Sequence, residues 1–263
     1  MATAADSRPS RIVRIGQIVP SSNTTMETEI PAMLRAREQH FPERFTFHSS
    51  RMRMKRVSPE ELAAMNQEGL RCAAELADAR VDVMSTACLV AIMASGPGYH
   101  RKVEEEMRAA AQAAGATSKV MTSAGALIDG LKALSGKRVS LLCPYMKPLA
   151  KLVVDYIESE GIAVKDYRAF EIPDNLKVGQ VEGSRLLEEA KTLDTRGVDA
   201  VVLSACVQMP SLASIEAAQK MIGLPVTSTA VCTAWKMLVT LGIEPRVQGA
   251  GALLAGEAAY LSA

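Results

Sequence analysis

The chain has 263 residues, 48% hydrophobic and 22% charged, with a formal net charge of +1. This composition suits a globular protein and excludes the basic excess of a nucleic-acid binder. No apolar run reaches the ~18 residues of a membrane span, and the first ten residues lack the apolar core of a secretion signal.

Residues 1–11 read as a frayed tail. A strand is predicted from Ile12 to Val19, then a helix from about Thr24 that carries Met26, Ile30, Met33 and Leu34 at helical spacing. A β-branched and aromatic run surrounds Phe45 to His48. The basic run Arg51 to Arg56 is short and isolated, and is expected on a solvated face. Ser58, Pro59 and Glu61 form a helix start with a capping box. Val81 to Ser85 is a strand, Tyr99 to Ala114 a helix and Lys119 to Thr122 a strand. In the second half, strands are expected at 138–143, 163–169, 198–204 and 226–228, and helices at 147–159, 181–196, 214–221 and 230–241. Such alternation predicts an α/β fold of parallel sheets flanked by helices.

The two halves resemble each other. Arg14-Ile15-Gly16-Gln17-Ile18-Val19-Pro20 matches Arg138-Val139-Ser140-Leu141-Leu142-Cys143-Pro144 in pattern. Val81-Asp82 leading to Ala87-Cys88 matches Val198-Asp199 leading to Ala205-Cys206, and Thr122-Ser123 matches Thr227-Ser228. Three matches in one order predict two copies of one lobe, each a parallel sheet of about four strands.

Ligands of open α/β sheets bind beyond the carboxyl ends of the strands. Cys88 and Cys206 both stand there, each after a strand and a small residue. Related lobes would set the two thiols across one cleft. The N–H groups of Leu89, Val90, Val207 and Gln208 would form anion nests and depress the thiol pKa values. The five cysteines, at 72, 88, 143, 206 and 232, give neither a disulfide framework nor paired zinc ligands. They read as reduced thiols of a cytoplasmic protein, with Cys72, Cys143 and Cys232 as small core residues. His40, His48 and His100 form no ligand pair, so no metal is expected, and His100 is expected at the surface. No glycine-rich dinucleotide or phosphate motif follows the first strand. Pro20-Ser21-Ser22-Asn23 occupies that turn; it would suit a carboxylate, or serve as a plain turn and helix cap.

The turn Pro20 to Thr24, the Ala87-Cys88 and Ala205-Cys206 strand ends, Pro144-Tyr145 and Asp174-Asn175-Leu176 resemble the aspartate/glutamate racemase superfamily and, within it, the maleate cis-trans isomerases. The resemblance runs from about Arg14 to the C-terminus. It implies two pseudosymmetric lobes with the active site between them, no cofactor, and a homodimer. It also implies that the C-terminal segment returns to the first lobe, giving 12–123 plus 231–263 as one lobe and 124–230 as the other. By position, Cys88 would be the nucleophile and Cys206 the general acid/base, with Asn23, Tyr145 and Asn175, beside Ser22, binding the substrate carboxylates. The implied reaction converts maleate to fumarate through a succinyl-cysteine.

Departures narrow the choice. Leu89-Val90 stand where the amino-acid racemases carry Asn-Thr, and the Asp-Ser turn of glutamate racemases is absent. Cys88 stands where arylmalonate decarboxylases have glycine, which speaks against that activity. The run Cys206 to Pro210 keeps the second-site spacing without its usual threonine. Two alternatives remain at this point: a two-thiol racemase or epimerase of a small carboxylate, and a non-catalytic dicarboxylate-binding protein.

Overall fold

A computed structural model of the chain describes residues 11–54 and 59–256. The tail before Arg11, the Ser58 cap and residues 257–263 of the returning segment lie outside the described residues.

The first half runs β1 (Ile12–Pro20), α1 (Met26–Arg37), β2 (Arg44–Met52), α2 (Pro59–Asp78), β3 (Val83–Thr86), α3 (Leu89–Met93), α4 (Tyr99–Ala113), β4 (Lys119–Thr122) and α5 (Ser123–Ala133). The second half runs β5 (Arg138–Cys143), α6 (Lys147–Ser159), β6 (Ala163–Ala169), α7 (Asn175–Val178), α8 (Gly183–Lys191), β7 (Ala200–Ser204), α9 (Leu212–Ile222), β8 (Val226–Ser228) and α10 (Thr229–Thr240), then a short 3-10 helix at Ala252–Leu254. Two four-stranded sheets form, in orders β2-β1-β3-β4 and β6-β5-β7-β8. Every strand pair within them is parallel. β3 and β7 are buried along their whole length, as parallel strands covered on both faces must be. Gly16 permits the close packing of β1: a Cβ there would lie 2.9 Å from Met84 Cβ. Among the described residues, no helix is long and apolar enough to cross a membrane.

The repeat is physical as well as textual. The Arg14 N–H donates to the Asp82 carboxylate at 2.7 Å, and the Arg138 N–H to that of Asp199 at 2.8 Å. Ala87 N–H donates to Ile18 O and Ala205 N–H to Leu142 O, both at 2.9 Å. One sequence match shifts by a residue. Thr122 pairs opposite Thr86, whereas Ser228 pairs opposite Ser204, so Ser228 rather than Thr227 is the counterpart of Thr122. An irregularity between Val202 and Ser204 absorbs the difference. Thr122 and Ser228 then do one job: their hydroxyls accept from Gly125 N and Val231 N and cap α5 and α10.

The helices absent from the sequence reading are α3, α5 and α7. All five residues of α3 are buried and apolar, so it has no polar face to mark its period. α5 is buried along most of its length, and α7 is a single turn capped by Asp174. α10 packs against α5 and α1, and Gly130 of α5 faces Cys232 of α10 at close range.

The lobes are pinned on two sides. Glu29 of α1 is buried, and its Oε1 accepts from Ser211 N and Leu212 N, each at 2.6 Å, at the start of α9. On the other side, the Tyr156 hydroxyl of α6 accepts from His100 N at 3.2 Å and bonds the His100 ring at Nδ1. His100 is therefore buried, contrary to the expected surface position. Its partner comes from the opposite lobe, 56 residues along the chain, a distance over which sequence spacing says nothing.

Candidate active site

Cys88 follows β3 and Cys206 follows β7, each after one alanine. They are 8% and 9% exposed, whereas Cys72, Cys143 and Cys232 are all 0% exposed. The two strand-end cysteines are thus the least enclosed of the five, though still buried. Each lies within electrostatic range of the other.

The backbone at Cys88 has φ −92° and ψ 86°, and Leu89 N–H donates to Ala87 O at 3.2 Å. This is an inverse γ-turn. It spends the Leu89 amide, which the sequence reading had offered to an anion. Of the expected amides, that of Gln208 does favour the Cys206 thiolate; the others that act come from further along, Ala91 for Cys88 and Met209 for Cys206. Val90 and Val207 are buried beside the thiols without that role. The expected depression of the thiol pKa values is reversed. Burial pushes Cys88 up to about 12, against the Ala91 amide, and the neighbouring Cys206 adds to the rise. Burial also raises Cys206, against the Tyr145 hydroxyl and then the Gln208 and Met209 amides. Removing solvent from a charge outweighs a few amide dipoles. Cys206 is nevertheless the better served of the two, with three donors at its sulfur against one at Cys88.

Tyr145 sits on the turn between β5 and α6, is buried, and directs its hydroxyl at Cys206. Its own pKa is driven upward by burial and then by the Cys206 charge, so it is a neutral donor. Asn23 Oδ1 accepts from Thr25 N at 2.9 Å and Met26 N at 3.0 Å, so that side of the amide caps α1. The Asn23 amide nitrogen is the side left for other partners. Asn175, at the start of α7, donates to Ser22 Oγ at 2.9 Å. The turn after β1 and the turn before α7, 153 residues apart in sequence, thus meet at one point.

Two residues hold this meeting point that the sequence reading did not assign to it. Arg51 stands on the solvated face as expected, and from there it donates to Asn23 O at 2.7 Å and Ser21 O at 3.2 Å and pairs with Glu27, so it also braces the turn. Gln208, 2% exposed, accepts from Thr24 N at 2.8 Å and donates to Asn175 O at 2.8 Å. Neither role has a local signal, because both partners lie across the fold.

Among the described residues, no three His, Cys, Asp or Glu side chains converge as a metal site. Open clefts of 680 Å³ near Arg37 and Arg246, and of 470 Å³ near Arg80 and Lys119, contain neither thiol. The two strand-end thiols and the Tyr145 hydroxyl lie instead in a buried region where both lobes contribute.

A family model described as arylmalonate decarboxylase matches residues 15–254. Maleate isomerase of Alcaligenes faecalis is 59% identical over 244 residues, covering 92% of this chain and 96% of the relative. The crystal structure of a cysteine-to-alanine variant of the maleate isomerase Iso from Pseudomonas putida S16 with maleate is similar at a TM-score of 0.93 and 57% identity, over 94% of this chain and 99% of that one. A cysteine-to-serine variant of Nocardia farcinica maleate cis-trans isomerase, with a covalently bound succinylcysteine intermediate, is similar at a TM-score of 0.89 and 48% identity, over 92% and 98% of the two chains.

Proposed function

This chain belongs to the arylmalonate decarboxylase family and, within it, to the maleate isomerases, and we infer from that membership that it carries out cofactor-free cis-trans isomerisation of maleate to fumarate. The observation that carries the reading is the matched pair of thiols, at equivalent strand ends of the two lobes and within electrostatic range of each other.

In the proposed mechanism the pair holds one proton between two sulfurs. Burial raises both thiols, so the reactive form is the fraction of molecules in which the pair has lost one proton; the donors around Cys206 place that charge there rather than on Cys88, and Cys206 acts first as base and takes the Cys88 proton. The Cys88 thiolate adds to one alkene carbon of maleate. The electron pair moves to the other carbon, beside its carboxylate, and that carbon takes the proton back from Cys206. The product is a succinyl-cysteine at Cys88 and a thiolate at Cys206. The former double bond is now single and rotates. Cys206 then removes the proton, the C–S bond breaks, and fumarate leaves with Cys88 again a thiolate. Covalent catalysis replaces one hard rotation by an addition, an easy rotation about a single bond, and an elimination.

Charge developing on the carboxylate during addition is met by neutral donors: the Tyr145 hydroxyl, the Asn23 and Asn175 amides, and the Ser22 hydroxyl. Loss of one such donor costs about 3–4 kcal/mol in the transition state. Leu89, Val90 and Val207 contribute apolar walls that keep water from the intermediate. The first lobe is taken as 12–123 with 231–263, and the second as 124–230; the packing of α10 on α1 supports this division. A homodimer is proposed, supported by the exposed apolar side chains Met146, Leu152 and Leu176 of the second lobe. The five free cysteines support a cytoplasmic location.

The test follows the vinyl protons of maleate by NMR, with reduced protein and no added metal or cofactor. The fumarate signal is expected to grow, and Cys88→Ala is expected to stop it. Retention of more than a few per cent of wild-type kcat in Cys88→Ala would remove the nucleophile role. Normal turnover by Cys206→Ser would remove the acid/base role.

A further inference from the structure

We propose that Gln208 is a positioning residue that locks the Cys206 sulfur to the carboxylate-binding turns of both lobes. The proposal rests on the reading above in one respect, that those turns hold substrate. Gln208 lies two residues after Cys206 and its side chain is fully engaged. Its Oε1 accepts from Thr24 N at 2.8 Å, and its Nε2 donates to Asn175 O at 2.8 Å and Ser22 O at 3.2 Å. Its backbone is held as well: Thr25 Oγ1 donates to Gln208 O at 2.7 Å, and the Gln208 N–H is one of the donors at the Cys206 sulfur. One residue therefore touches the turn after β1, the turn that opens α7, and the thiol.

The amide can take only one orientation. Thr24 N–H requires an oxygen, and the carbonyls of Asn175 and Ser22 require donors; a flip would set like dipoles against each other at all three. The chain also crowds the amide, since a Cβ at Gly179 would lie 2.7 Å from Gln208 Nε2 and 2.8 Å from Thr24 Oγ1. At 2% exposure, water does not replace the lost partners without opening the site. A thiol displaced by about 1 Å from its acceptor carbon costs about a hundredfold in rate, so a residue that fixes the sulfur against both carboxylate turns acts on binding and on chemistry together.

Three variants test this. Gln208→Met keeps the length and removes every polar contact of the side chain; kcat/KM for maleate is expected to fall at least about thirtyfold, with a rise in KM of about fivefold or more within it. A merely structural role would lower the folded fraction and the apparent kcat and leave KM alone. Gln208→Glu keeps the acceptor for Thr24 and loses the donors; its activity is expected to recover as pH falls and the new carboxyl gains an O–H, which wild type does not do. Thr25→Val cuts only the bond to Gln208 O, and keeps the test open if Gln208→Met does not fold; its KM is expected to rise about threefold. KM values within twofold of wild type for Thr25→Val and for folded Gln208→Met would overturn the proposal. If wild type does not turn over maleate, the functional reading fails separately. The positioning role is then read from iodoacetamide alkylation: in Gln208→Met, or in Thr25→Val if that variant does not fold, the Cys206 rate is expected to change at least about fivefold and the Cys88 rate to hold. An unchanged Cys206 rate would overturn it.

Discussion

Glu29 offers a quantitative test of how the lobes are joined. Its carboxylate is buried, and both amides it serves, Ser211 N and Leu212 N, bond to the same oxygen, Oε1. The second oxygen has only a long contact of 3.4 Å with Ser211 Oγ. Glu29→Ala strands two amides at the start of α9. With about 1–3 kcal/mol for each buried donor left without a partner, and partial relief from water entering the new space, the loss is about 2–4 kcal/mol. For a chain of this size that corresponds to a fall of about 5–15 °C in Tm. Glu29→Gln keeps an oxygen at the Oε1 position, and its amide nitrogen can donate to Ser211 Oγ, so it is expected within about 1 kcal/mol of wild type.

The pH dependence separates the oxygen from the charge. Burial raises the Glu29 pKa, and the Leu212 and Ser211 amides only partly oppose it. A carboxyl with a folded pKa above its unfolded value binds its proton more tightly when folded. Its stabilising contribution is complete below the unfolded pKa and is lost as pH rises through the folded value. Gln has no such loss. The stability of Glu29→Gln relative to wild type is therefore expected to be lowest near about pH 4 and to grow toward neutral pH. Thermal melts of the three proteins across this range give the answer. If Glu29→Gln loses as much as Glu29→Ala at neutral pH, the negative charge rather than one well-placed oxygen joins the lobes, and the argument is refuted.

Iodoacetamide followed by peptide mass spectrometry is expected to label Cys88 and Cys206 before the three cysteines with no exposure. Because burial pushes Cys88 up to about 12, its labelling rate should still climb at about pH 9, since only the thiolate reacts; a plateau below about pH 8 would contradict the buried, high-pKa thiol. Gly130→Ala would bring a Cβ within 2.6 Å of Cys232 Sγ and is expected to cost about 1–3 kcal/mol by overpacking α5 against α10. Adding Cys232→Ala should recover most of that loss, and a double mutant no better than the single would point to Leu253 or backbone strain instead.

The sequence by itself determined the alternation of strands and helices, the twofold repeat and the two strand-end cysteines. These are carried by local signals: apolar runs, helix-start residues and a recurring Val-Asp before each Ala-Cys. Several element bounds, such as Arg138–Cys143 and Lys147–Ser159, are the same in the sequence reading and in the fold. The helix α3 escaped because a segment buried on all sides has no polar face to reveal its period, and α5 because Asp129 and Lys132 are its only polar residues outside the buried set. Only the tertiary structure decided the rest. Whether a thiol is acidic depends on the solvent removed from it, and burial overrides the amides that a strand-end position suggests. Whether His100 is exposed depends on Tyr156 from the other lobe, and whether Arg51 is idle depends on the carbonyls of a turn 28 residues before it. Gln208 gains its place from Thr24, 184 residues away. Local patterns record what each segment does with its own backbone; the state of a buried charge and the partner of a buried amide are set by atoms that only folding brings near.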